Sequence, residues 1–74
     1  MSDDRMTFDG TIWSMFALFE WAGQRFPMHE RDEDRITWIA VTNPDTPIVQ
    51  RAYPGDTIVR SPDGVLTVET AART

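Results

Sequence analysis

His29, Glu30, Asp32 and Asp34 lie within one short stretch, MHERDEDR (28–35), and are the residue types that hold metal ions. A calcium loop needs a glycine turn among its acids. Zinc sites built without cysteine draw on more than one histidine. The stretch offers neither and the chain has no cysteine, so it reads as a solvated, charged connection, with no metal or cofactor expected. Arg51 and Arg60 are the next candidates. They flank a Pro-Gly turn, and on one face they would form a fork for a carboxylate, a phosphate or an anionic nucleotide signal. The plainer alternative is a surface ion pair with Glu69 or Asp56. Nucleophilic catalysis needs a base beside the nucleophile and a group that orients the base. Ser14 and Ser61 have no such neighbours in the pattern, and Asp56 and Asp63 sit where turns need them. No glycine-rich phosphate loop is present. The chain is not expected to be an enzyme.

The chemistry that remains is adhesive. Trp13, Phe16, Phe19, Trp21 and Trp38 are more aromatic surface than a small domain usually carries, and aromatic residues dominate the energetic centres of interfaces. They are candidate interface residues, against the alternative that all are core. Four of them lie in TIWSMFALFEWAGQRF (11–26), the one segment long and apolar enough for a core-forming helix, expected over about 11–25. At about 100° per residue, Ile12, Phe16, Phe19, Gly23 and Phe26 share one flank and Leu18 and Trp21 the other, with Met15 and Ala22 between. The arc spans roughly 220°, about twice a normal core-facing stripe, and Trp13 and Ala17 fall outside even that. One side of the helix therefore packs on a sheet, and the surplus calls for a second partner, either another copy or a foreign protein. Asp9 or Thr11 is placed to cap its start, and Gly23 and Pro27 to end it.

Composition sets the bounds. With 74 residues the chain affords one domain, expected over 11–70, with a flexible N-terminus at 1–10 and a tail at 71–74. Twelve acids against seven basic residues, all arginine, give a net charge of -5. So acidic a chain is a poor generic ligand for DNA or anionic membranes. No run is long enough to span a bilayer, and the first ten residues lack the basic and apolar parts of a signal peptide.

From Ile36 the hydrophobic period changes to two. Strands are expected at 36–42, 47–53, 56–61 and 65–70. Tyr53-Pro54-Gly55-Asp56 predicts a type II turn, and Ser61-Pro62-Asp63-Gly64 a type I turn followed by a left-handed glycine. Short connections make neighbours antiparallel. The expected fold is α+β: one N-terminal helix packed on a four-stranded antiparallel meander.

Pro54, Gly55, Asp56, Ile58, Val59, Arg60 and Gly64, preceded by Gly10, Thr11, Ser14, Leu18, Trp21 and Gly23, carry a resemblance. The order resembles a group of small bacteriophage-encoded accessory proteins with a Pro-Gly-Asp-Trp-Ile/Val-Ile/Val-Arg-Gly stretch. This chain departs from the pattern at Thr57 and Ser61, where the group has tryptophan and glycine, and in its shorter C-terminal part. The resemblance implies a non-enzymatic viral protein in the cytoplasm of an infected bacterium. That group has no assigned role; small size, acidity and the lack of catalytic apparatus, taken with the resemblance, give the expected function of binding and inhibiting a host factor, a defence system or regulator, stoichiometrically. The alternatives are a head or tail subunit of the virion and a sponge for an anionic nucleotide.

Overall fold

The computed structural model describes residues 3–71. In chain order the elements are β1 (Asp4–Thr7), α1 (Ile12–Ala22), β2 (His29–Asp32), β3 (Arg35–Asn43), β4 (Thr46–Ala52), β5 (Thr57–Arg60) and β6 (Leu66–Glu69). The class is α+β, but the four-stranded meander is not what forms. Six strands make two three-stranded antiparallel sheets, ordered β1-β5-β6 and β2-β3-β4.

Two of the strands arise from polar sequence. β1 pairs along β5 from Asp4↔Arg60 to Thr7↔Thr57, where a loose N-terminus is expected. β2 pairs with β3 inside the stretch that reads as a solvated connection, and Glu33 at φ 56 makes the turn between them. Both corrections have one cause. These are edge strands, mostly or wholly exposed, so no alternation of apolar side chains marks them. Charge on an edge strand also discourages pairing with other chains. Residues 1–2 and 72–74 of the expected flexible start and tail lie outside the described residues.

The meander breaks between β4 and β5, at Tyr53–Asp56. This turn has the expected type II signature: Gly55 has φ +97°, and the Asp56 amide donates to the Tyr53 carbonyl at 2.9 Å. It carries the chain from one sheet to the other instead of folding it back. The outer edge of β6 meets side-chain amides in place of a fourth strand. Asn43 accepts from the Leu66 amide at 2.8 Å and donates to the Leu66 carbonyl at 2.9 Å. Gln50 accepts from the Val68 amide at 3.0 Å and donates to the Leu66 carbonyl at 3.1 Å. Backbone groups that a neighbouring strand would satisfy are thereby paired across the two sheets.

β3 changes face partway. Arg31 opposes Ile36 and Glu30 opposes Trp38, which leaves Thr37 as an extra residue in a bulge. A bulge reverses the alternation. Ile36 before it and Ile39 and Val41 after it therefore all reach the core. That core contains Phe8, Met15, Leu18, Phe26, Ile36, Ile39, Val41, Ala52, Ile58 and Leu66.

α1 is shorter than expected. Thr11 caps it, accepting from the Ser14 amide at 3.0 Å. Gly23 at φ +71° ends it, with Gly23 N–H to the Glu20 carbonyl and Gln24 N–H to the Phe19 carbonyl, both at 3.2 Å. This is the glycine-terminated hydrogen-bond pair that closes many helices. Met15 and Leu18 are buried, and Ile12, Phe19, Trp21 and Ala22 are half-buried.

Candidate functional site

Gly10 and the Pro54–Gly55–Asp56 turn meet in space, and their contacts are those of a structural joint. Gly10 approaches Pro54 so closely that a Cβ at Gly10 would lie 2.9 Å from the Pro54 Cγ. Its carbonyl accepts from the Ile36 amide at 2.8 Å. Phe8 between them is fully buried, bonded through its amide to the Asp56 carbonyl and through its carbonyl to the Gly55 amide. The Asp56 carboxylate, itself buried, accepts from the Tyr53 amide at 2.8 Å and the Ala71 amide at 2.9 Å. One side chain thus fixes the Pro-Gly turn and holds the chain leaving β6. It is a structural acid, as the turn pattern suggests.

Arg51 and Arg60, the candidate fork, each stack on a separate aromatic ring. They stand on different sheets, on β4 and β5. The Arg60 guanidinium lies 4.5 Å from the Trp21 ring centroid, donates to the Trp21 carbonyl, and pairs with Asp4 at 2.9 Å. It ties β5 to the end of α1 and to β1. Arg51 lies 4.3 Å from the ring centroid of Trp38. Stacking of this kind covers an aromatic face while leaving a charge at the surface. Of the alternative ion pairs, Glu69 is taken by Arg5.

The five aromatic candidates therefore divide. Trp21 and Trp38 are half-buried beneath their own arginines. Phe19 is half-buried and bridges edge-to-face between Phe16, at 6.3 Å, and the core residue Phe26, at 5.8 Å. Trp13, at 81 % exposed, and Phe16, at 51 %, face outward. With Ala17, Glu20 and Gly23, all exposed, they form the outer face of α1. Beside them an open depression of about 480 Å³ is lined by Phe16, Phe19, Glu20, Gly23, Gln24 and Arg25. Glu20 and Arg25 make no ion pair among the described residues.

The depression is not foreseeable from the helical arc. It exists because α1 stops at Gly23 and the chain turns away, and the sequence places helix as far as Arg25. Ile48 and Val49 on the edge strand β4 are exposed as well, another feature that the alternation of residues does not reveal.

Two surface carboxylates are held below the ordinary value of 3.8. Asp9 is lowered first by the hydroxyl of Thr11 and then by the Thr11 amide. Asp63 is lowered chiefly by the hydroxyl of Ser61. Both hold local turns. Among the described residues no group of three His, Cys, Asp or Glu stands close enough to hold a metal ion, and no helix is long and apolar enough to cross a membrane. No family model matches the sequence, and no curated protein or solved structure is significantly similar to it.

Proposed function

We propose that this chain is a non-enzymatic binding protein whose working surface is the outer face of α1. The observation that carries this reading is Trp13, a residue type rarely left in water, 81 % exposed on a helix whose other side supplies the core. Around it the face holds Phe16, Ala17 and Gly23, with Glu20 as its one charge. Nothing in the joint at Gly10, Pro54 and Asp56 needs this surface to be apolar. Phe16 and Phe19 line a depression fit to receive an apolar side chain from a partner.

The resemblance adds the setting: a viral accessory protein in the cytoplasm of an infected bacterium, holding a host factor, a defence component or regulator, in a stoichiometric complex. The anion-sponge alternative has less support, because Arg51 and Arg60 stand on different sheets and stack on separate rings.

A photoreactive amino acid tests the reading when placed at Phe16 and, as a control, at Ile48 on β4. Expressed in the bacterial host, the first is expected to crosslink to a discrete protein and the second is not. Equal crosslinking from both positions, or crosslinking from Ile48 alone, contradicts a docking face on α1.

A further inference from the structure

The chain contains two Asp-Gly steps, Asp9-Gly10 and Asp63-Gly64. A peptide rearranges most readily at such a step, because the glycine amide carries no side chain to hinder its closing on the carboxyl. Both glycines lie in the left-handed region, Gly10 at φ +88° and Gly64 at +89°, yet their surroundings differ. We propose that Asp63 is a self-modification site that converts to a β-linked isoaspartate in the folded protein, while the fold protects Asp9. The Gly64 amide nitrogen attacks Cγ of the protonated Asp63 carboxyl. The amide proton and the carboxyl hydroxyl leave as water, and a succinimide ring closes. Water then adds to the former Asp63 backbone carbonyl carbon. The bond from that carbon to the ring nitrogen breaks, and the main chain now runs through Cγ. One water leaves and one returns, so the mass is unchanged and no oxidant or reductant takes part.

Asp63 sits where this rearrangement has room. It lies at the tip of the β5–β6 hairpin, and Pro62, Asp63 and Gly64 are all exposed. A Cβ at Gly64 would meet nothing within 4 Å, so the peptide there can turn toward the carboxyl without moving a neighbour. The restraint is local and comes from Ser61. Its carbonyl accepts from the Gly64 amide at 2.9 Å, and its hydroxyl donates to the Asp63 carboxylate while accepting from the Val65 amide at 3.1 Å. The hydroxyl is also the main cause that keeps Asp63 ionised. An ionised carboxylate has no hydroxyl to lose as water. Ser61 therefore slows the step without blocking access to it.

Asp9 carries the same dipeptide in a closed setting. Its carboxylate accepts from the Thr11 amide at 2.9 Å and the Thr11 hydroxyl at 2.6 Å. Gly10 is buried, its carbonyl accepts from the Ile36 amide at 2.8 Å, and a Cβ there would lie 2.9 Å from the Pro54 Cγ. Closing a ring on the Gly10 nitrogen needs the start of α1 to open first, so the rate falls with the fraction of molecules open. At Asp63 the product places an extra methylene in the main chain and breaks the Ser61–Gly64 turn. Leu66, two residues on, is where Asn43 and Gln50 join the two sheets. Isomerisation therefore loosens that seam.

Trypsin makes the test direct, because the peptides 6–25 and 61–73 each hold a single aspartate, Asp9 in the first and Asp63 in the second. The full folded chain is kept at neutral pH and physiological temperature for several weeks and then digested. Isoaspartate is read as a chromatographic shift at unchanged mass and as methyl transfer by an isoaspartyl-specific carboxyl methyltransferase. It is expected to accumulate in 61–73 and at least about tenfold more slowly in 6–25. In urea, where the fold is gone, the two peptides are expected to convert at similar rates. Ser61→Ala is expected to raise the native rate at Asp63 about threefold or more, because more of the carboxyl is then protonated. No isoaspartate in 61–73, or conversion of 6–25 as fast in the folded protein, overturns the proposal. A Ser61→Ala rate no higher than wild type overturns the restraint assigned to Ser61.

Discussion

Asp56 shows how far one residue governs this molecule. Its carboxylate is buried and receives two backbone N–H groups, from Tyr53 and Ala71. Removing a buried acceptor strands its donors, at about 1–3 kcal/mol each. Asp56→Ala is expected to cost at least about 3 kcal/mol in urea unfolding, a large fraction of the 5–15 kcal/mol typical of a folded domain. Surface acids act differently. Asp9 and Asp63 are depressed below 3.8 in the folded state. A depressed carboxylate stabilises the fold fully above its unfolded pKa, and that contribution is lost as the pH falls through its folded one. The urea midpoint should therefore hold down to about pH 4 and then decline, and Asp9→Asn should remove part of the decline. A midpoint that begins to fall near pH 6 would point to other groups.

Among the elements, the joint between the turn and the start of α1 is the sensitive one. Gly10→Ala meets Pro54 at 2.9 Å and holds a left-handed φ, whereas Gly23→Ala has open space around it and pays for the left-handed backbone alone. The second should cost about 1 kcal/mol and the first clearly more, as read from thermal or urea unfolding. Much of this level was legible in advance. The period of two identifies β3 to β6, and both glycine turns fall where the sequence puts them. What was hidden has physical reasons. β1 and β2 are polar edges whose pairing depends on a distant partner. The bulge at Thr37 reverses the alternation of β3, so both faces looked apolar. Asn43 and Gln50 stand in for strand backbone, a role that no local pattern announces.

For the molecule as a whole, the five candidate aromatic rings separate into three that are half-buried, Phe19, Trp21 and Trp38, and two that are exposed, Trp13 and Phe16. Arg51 and Arg60 cover Trp38 and Trp21 across strand and helix, contacts that need the tertiary fold before they can be seen. Trp13 and Phe16 remain. A surface residue away from caps and cores changes stability by less than about 0.5 kcal/mol, whereas deleting a buried leucine costs about 2–5 kcal/mol. Trp13→Ala should thus unfold at the wild-type urea concentration, and Leu18→Ala, fully buried, well below it.

The most direct test of the docking face is quantitative capture from a bacterial host lysate by immobilised wild-type and Trp13→Ala protein in parallel. The expectation is a discrete host protein retained by the wild type and reduced at least tenfold on the variant. Equal retention by both would contradict a working surface centred on Trp13.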